Sequence, residues 1–242
     1  MATALIIGAS GTLGSAIGRE LIARRFSVGL HWHTRKEACE KLCAEACADG
    51  LQAACYQAGF DSAQAPQALA TSFLKDFSRL DALVWAAGIA RDAPLATLSD
   101  TELRAQIQVD LRAFFLTLKA FARQFMKQKS GAVVALSSHA GLAGRAGGTA
   151  YAMAQSGLLA LVKSAAREWG PLGVRVNAVL PPFIAGSGMG GAASPEFSAN
   201  VQARQVIKQP GEASAVATFV AELLNNQAIS GQVLCVDDRI KY

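Results

Sequence analysis

Apolar residues fall in short continuous blocks rather than in strict alternation. "ALIIG" (4–8), "SVGLHWH" (27–33), "LQAACYQ" (51–57), "DALVWAAG" (81–88), "GAVVALSS" (131–138), "VRVNAVLP" (174–181) and "GQVLCVD" (231–237) each read as a strand. Unbroken apolar blocks of this length suit strands covered on both faces. Between them, apolar positions repeat at helical spacing near 13–25, 36–48, 64–77, 99–128, 151–169 and 212–225. Such alternation predicts a parallel sheet with right-handed crossovers and helices on both faces. The expected architecture is α/β, a single doubly wound Rossmann-type domain over residues 1–242 with a sheet of about seven strands. One stretch breaks the pattern: 181–199 is rich in Gly, Ala and Ser. Loops of that length often serve as lids, so a substrate lid is expected over 182–210.

Composition narrows the class. The chain has 242 residues, 52% of them hydrophobic, enough for a sizeable core and too apolar for disorder. No apolar run approaches the ~20 residues that a membrane helix needs. No charged leader precedes the first strand, so a cytoplasmic protein is expected. Five cysteines in a chain this long do not read as a disulfide scaffold. Cys39, Cys43 and Cys47 at i, i+4, i+8 spread the outer thiols ~12 Å apart along a helix, too far for one metal ion. They are expected to be small core-facing residues, and no metal site is predicted. The net charge of +5 comes without a run of like charges or interleaved aromatics, which argues against nucleic-acid binding. An acidic ligand, a phosphate or a protein partner fits the same charge.

The segment "LIIGASGTLGSAIGREL" places Gly8, Gly11 and Gly14, with Ser10, Thr12 and Leu13, between a strand and a helix. Glycines there permit a tight turn and let backbone N–H groups approach a pyrophosphate at the helix N-terminus. A ligand-free strand–helix turn is the alternative. In NAD-binding folds an acidic residue near the end of the second strand takes the ribose 2′-hydroxyl. The corresponding stretch, "LHWHTRKE", has no Asp or Glu between Leu30 and Lys36. His33, Thr34, Arg35 and Lys36 there suit a 2′-phosphate, which favours NADP(H), or else begin a solvated helix face.

Ser138 ends a strand, and a Gly-rich loop leads from it to Tyr151 at a helix start. Ligands of doubly wound sheets bind beyond the carboxyl ends of the strands. A hydroxyl and a phenol converging there would polarise a carbonyl, Ser138 by hydrogen bonding and Tyr151 by delivering a proton. Gln155 lies one helical turn beyond Tyr151 on the same face.

From Ser138 through "AYAMAQSGLLALVKSAAREWGPLGVRVNAVLPP" to "SGQVLCVDD" the chain resembles the short-chain dehydrogenase/reductase family, and within it the beta-ketoacyl-acyl-carrier-protein reductases. The resemblance covers nearly the whole sequence. It implies a four-membered active site of Asn, Ser, Tyr and Lys, which falls here on Asp110, Ser138, Tyr151 and Gln155. Two of the four therefore differ. It also implies cofactor contacts from the glycine turn, from Ala87 and Gly88 after the fourth strand, and from Pro181 and Ile184 after the sixth. Other positions depart from the family pattern. The glycine spacing is G-x-x-G-x-x-G, "WAAG" (85–88) stands for "NNAG", Gly59 for an adenine-contacting Asp, and Pro181-Pro182 for Pro-Gly.

The resemblance gives the Lys two tasks: holding the nicotinamide ribose and lowering the Tyr pKa. Gln155 keeps hydrogen-bonding capacity but brings no charge. A unit charge ~4–5 Å away is worth roughly 3–4 kcal/mol at an effective dielectric near 20, or about 2–3 pKa units. Tyr151 is thus expected to stay protonated at neutral pH, able to act as an acid toward a ketone and poor as a base. Lys163, ~12 Å further along the helix, is too far to substitute. His139 and Arg145, in the loop before Tyr151, could swing inward to stand in for that charge, but are expected to be solvated loop residues. Asp110 falls within the apolar stripe of Leu103, Ile107, Phe114, Leu118, Phe121 and Phe125. A carboxylate there is costly unless it meets polar groups in the cleft or exits at a subunit interface.

Two functions fit. One is an NADP(H)-dependent reductase of a ketone, a 3-oxoacyl thioester carried by acyl-carrier protein or CoA. The other is a weak or inactive family member that supports an active reductase in a hetero-oligomer. A dimer or tetramer built on the long helices is implied by the resemblance. Arg123, Lys127 and Lys129 either steer an acidic carrier protein or simply satisfy a helix C-terminus.

Overall fold

The computed structural model describes residues 1–185, 195–207 and 211–239. Seven parallel strands form one sheet in the order β3-β2-β1-β4-β5-β6-β7. They are β1 (Thr3–Ile7), β2 (Ser27–Trp32), β3 (Ala53–Gln57), β4 (Ala82–Trp85), β5 (Gly131–Leu136), β6 (Val174–Leu180) and β7 (Val233–Cys235). Every predicted strand is present, trimmed at its ends. The helices are α1 (Thr12–Ala23), α2 (Lys36–Ala48), α3 (Ala65–Asp76), α4 (Asp100–Ile107), α5 (Ala113–Gln128), the one-turn α6 (Ala140–Ala143), α7 (Thr149–Trp169), α8 (Pro195–Ala203) and α9 (Ala213–Asn225).

Strand side chains alternate between two cores. Leu5, Ile7, Trp85, Val133 and Val176 face α3, α5 and α7, where Phe73, Phe114, Phe121 and Leu158 cover them. Ala4, Ile6, Val28, Val84 and Val134 face α1, α2 and α9, covered by Ile17, Leu42 and Val220. Burial on both faces explains why the strands read as unbroken apolar blocks. Each fully buried large side chain is worth roughly 1.5–3 kcal/mol, so the double core supplies most of the stabilisation. At the far end of α7 the Trp169 ring meets Phe125 with centroids 5.8 Å apart, which locks that helix to α5.

The helix expected over 99–128 is interrupted. A π-helical turn, Gln108–Arg112, joins α4 to α5. Its extra residue shifts the register. In α4 the buried residue is Gln106 rather than Leu103 or Ile107, and Asp110 follows one turn later, fully buried. Phe114, Leu118, Phe121 and Phe125 then line the core as expected. Phe115, on the outer face, is 47% exposed.

The cysteine expectation holds only in part. Cys39 is buried and Cys43 half-buried, but Cys47 is exposed. Among the described residues no cluster of metal-ligating side chains occurs. No helix of the described residues is long and apolar enough to cross a membrane. The lid expected over 182–210 falls in part outside the described residues. Within its described portion, α8 is followed by an antiparallel bridge from Gln205 to Arg239.

Candidate active site

Strand order reverses between β1 and β4, and the turns that leave these two strands meet there. Gly8 ends β1 with φ +81°, and a Cβ at this position would stand 2.7 Å from Ala87 N. Only glycine allows that turn and that approach together. Ala87 is therefore placed directly beside the glycine turn, with Gly88 next in the chain. Gly11 begins α1 without a side-chain cap, and no acidic residue occupies the first turn. Thr12, Leu13 and Gly14 point their N–H groups out of the helix start, where no intrahelical carbonyl reaches them.

Sequence reasoning overlooked His31, which lies beneath the turn. Gly8 N donates to His31 Nδ1 at 3.0 Å, and Nε2 lies 3.1 Å from Ala58 O. One ring nitrogen must accept and the other donate, so the imidazole is neutral. Burial agrees, lowering its pKa to about 4. The ring stacks on Phe60 at 4.8 Å, and Phe60 stacks on Trp85 at 5.2 Å. Trp85 is fully buried in the core between Phe60 and Phe114.

Beyond β2, His33 and Arg35 are exposed, and Lys36 pairs with Glu40 at 2.6 Å. Gly59 lies close by. A Cβ there would stand 2.8 Å from Asp61 Oδ1 and 3.5 Å from His33 Nε2. Asp61 thus brings a carboxylate next to the position where the family pattern places one.

Ser138 leaves β5 half-buried, and its Oγ accepts from Ala140 N at 3.2 Å. Tyr151 sits in the first turn of α7 and is 9% exposed. Burial pushes its phenol up to about 12; a hydrogen bond with Ser138 opposes this, the Asp110 charge adds to it, and Arg145 opposes it. The predicted serine–tyrosine pair is therefore assembled, with the phenol protonated at neutral pH.

Gln155 is built into a buried polar chain. Ser137 Oγ donates to Gln155 Oε1 at 2.9 Å, and Gln155 Nε2 donates to Asp110 Oδ2 at 3.2 Å. Gln106 Nε2 donates to the same Asp110 oxygen at 2.7 Å and to Ile89 O at 2.8 Å. Ile89 N donates to Asp110 Oδ1 at 2.9 Å, and Arg91 N donates to Gln106 Oε1 at 3.1 Å. The chain ties β5, α7, the π turn and the loop after β4 into one network. Asp110 accepts three hydrogen bonds, so polar partners within the chain answer the cost of its burial, and no exit at a subunit interface is needed. Burial still raises its pKa to about 7, held down by the Ile89 N–H, Gln155 and Gln106. Neither Ser137 nor Gln106 stands out in the sequence. Their only signals are adjacency to Ser138 and the i−4 position from Asp110.

The two loop residues His139 and Arg145 are not solvated spectators. His139 Nε2 lies 3.0 Å from the buried carboxylate of Asp237, which also receives Arg239 Nε at 2.9 Å. Arg145 pairs with Asp92 and lies over the Tyr151 ring, 5.5 Å from its centroid. Pro181 and Ile184, both half-buried, follow β6 at the same carboxyl end of the sheet.

A family model described as short chain dehydrogenase matches residues 2–196. The chain belongs to the short-chain dehydrogenase family. Within that family it is 32% identical to the 3-oxoacyl-acyl-carrier-protein reductase of Staphylococcus aureus, covering 97% of this chain and 96% of the relative. The corresponding reductase of Synechocystis is also 32% identical, over 97% and 94%. Nodulation protein G of a Rhizobium species is 31% identical over 97% and 94%. A solved NAD+-bound xylitol dehydrogenase superposes with a TM-score of 0.91 over 98% of both chains at 24% identity, which supports the shared fold. This short-chain dehydrogenase is thus an oxidoreductase by family and resembles 3-oxoacyl-acyl-carrier-protein reductases along nearly its full length.

Proposed function

We propose that the chain reduces a ketone, a 3-oxoacyl thioester carried by acyl-carrier protein or CoA, with NADP(H) as coenzyme. The observation that carries this reading is the buried Tyr151 phenol, held protonated and hydrogen-bonded to Ser138 at the carboxyl end of the sheet.

The glycine turn suits a dinucleotide: Gly8 admits Ala87, and the start of α1 offers N–H groups without an acidic neighbour. Gly8, Ser10, Gly11, Thr12, Leu13 and Gly14 would hold the pyrophosphate, with Ala87, Gly88, Pro181 and Ile184 framing the remainder. Exposed Arg35, with His33, would meet a 2′-phosphate, since Lys36 is engaged with Glu40. The bound coenzyme would supply a hydride. Ser138 donates a hydrogen bond to the substrate carbonyl, Tyr151 Oη releases its proton to that oxygen, and Gln155 offers its remaining N–H to the ribose. A phenol near pKa 12 stays protonated at neutral pH, so it stands ready as an acid toward the ketone and is scarcely populated as the base that alcohol oxidation needs.

A second reading is favoured by one observation: the amide of Gln155 is engaged at both ends, by Ser137 and Asp110. A site so fixed suits a member that supports a catalytic relative in an oligomer. Fluorescence titration with NADPH followed by turnover of an acetoacetyl thioester separates the readings. Binding with turnover establishes the reductase. Binding without turnover by any 3-oxoacyl thioester favours the supporting role.

A further inference from the structure

The loop before α7 and the loop after β4 are fastened together beside Tyr151. Ala93 N donates to Gly147 O at 2.9 Å, and Ala93 forms a parallel bridge with Gly148. This brings Asp92 and Arg145 into an ion pair. The Arg145 guanidinium then lies over the face of the Tyr151 ring, 5.5 Å from its centroid. Gly148 makes that path possible, because a Cβ there would stand 2.5 Å from Arg145 Nε and 2.9 Å from Nη2. Loop fastening, ion pair, ring contact and missing side chain all converge on one placement of one cation.

We propose that Arg145 is a positioning residue for Tyr151: anchored on Asp92 and laid across the phenol ring, it offsets the negative charge that appears on Oη when the proton leaves. This rests on the reductase reading for its catalytic meaning. In that reaction the Tyr151 O–H bond breaks, a new O–H bond forms on the substrate oxygen, and the hydride of the reduced nicotinamide goes to the carbonyl carbon. The phenolate left behind faces a carboxylate, Asp110, and a second one, Asp92, as well as the Ser138 hydroxyl and Arg145. A guanidinium keeps its charge at every working pH, and a planar cation sits well on an aromatic face. Its charge falls partly on Asp92, so its effect on the phenol is smaller than that of an unpaired cation.

The test is the Tyr151 ionisation itself, read as tyrosinate absorbance on the full chain without coenzyme and assigned by subtracting Tyr151→Phe. Arg145→Met should raise the midpoint by about half a pH unit or more, and Arg145→Lys should restore most of that change. Asp92→Asn should move it the opposite way, downward by a similar amount. Opposite signs from the two partners of one ion pair are not expected of loosened packing, which would move both variants alike. Midpoints that stay fixed, or move in the same direction, overturn the proposal. If Arg145→Met does not fold, Asp92→Asn decides alone, and an unmoved or raised midpoint overturns it. The titration needs no turnover, so a chain that reduces no ketone still gives a readable answer, and the failures of the two readings stay distinct.

Discussion

Gln155 Nε2 donates to Asp110 Oδ2 across 3.2 Å, joining α7 to the π turn inside the protein. The two positions at which the chain departs from the family's four-membered site are therefore partners. An amide donor suits a carboxylate acceptor, and the pair is satisfied without a cation.

Gln155→Lys restores that cation. An ammonium beside Asp110 and one turn from Tyr151 would lower the phenol pKa by about 2–3 if it sits ~4–5 Å away. Thioester reduction should speed up, and alcohol oxidation near pH 9 should become measurable. Steady-state rates in both directions, compared with wild type, check this; no gain in either direction counts against the charge deficit as the limiting factor.

Asp110→Asn should change how stability depends on pH. The folded carboxyl titrates near 7, above its unfolded value of 3.8, so the native state holds a proton that the unfolded chain releases between those pH values. Wild-type stability from this group is accordingly full below about pH 4 and lost as pH rises through 7, at ~1.4 kcal/mol for each pH unit crossed. The Tm of the Asn variant relative to wild type should climb from pH 4 to 7 and then level off. A constant difference in thermal melts would refute the raised carboxyl pKa.

Ser138→Ala and Tyr151→Phe test the donor pair. Each should lower kcat by about 10²–10⁴-fold, while the NADPH Kd stays within a few-fold of wild type. A comparable loss of coenzyme binding would instead mean that these groups shape the cleft.

Arg35→Ala addresses coenzyme choice. Loss of one exposed guanidinium should weaken NADPH binding by about tenfold and leave NADH nearly untouched. Equal weakening of both coenzymes would remove Arg35 from the 2′-phosphate site.

Trp85 separates packing from polarity. Its ring is fully buried, yet Nε1 has no hydrogen-bond partner among the described residues. Trp85→Ala should cost about 3–5 kcal/mol in urea unfolding. Trp85→Phe should cost well under half of that, because the unsatisfied N–H goes with the lost volume.

The strands, the glycine turn and the Ser138–Tyr151 pair are legible in the sequence because each rests on a local rule: block hydrophobicity, turn glycines and the spacing between a strand end and a helix start. The π turn is not legible. Its signature is one extra residue in a helix whose apolar stripe stays plausible either way, so periodicity alone assigns Leu103 and Ile107 the core position that belongs to Gln106. Gln106 reaches Asp110 from one helical turn away, but Ser137 meets Gln155 across 18 residues and Gln155 meets Asp110 across 45, so the network appears only in the fold. The sequence names Arg145 as a loop cation near Tyr151 but not its inward placement, since its anchor Asp92 lies 53 residues away in the chain. The buried ring stack of His31, Phe60 and Trp85 likewise joins three strand ends that no sequence window contains.

Helix α7 carries Tyr151 near one end and Trp169, wedged on Phe125, at the other. Roughly eighteen residues of α-helix make a rod about 27 Å long between them. Pivoting that rod by about one degree around its tryptophan end would sweep the phenol through roughly half an ångström, the tolerance within which reacting groups must be aligned. Leverage of this kind makes the aromatic wedge a remote adjustment screw: substitutions there would retune the chemistry without touching anything that reacts.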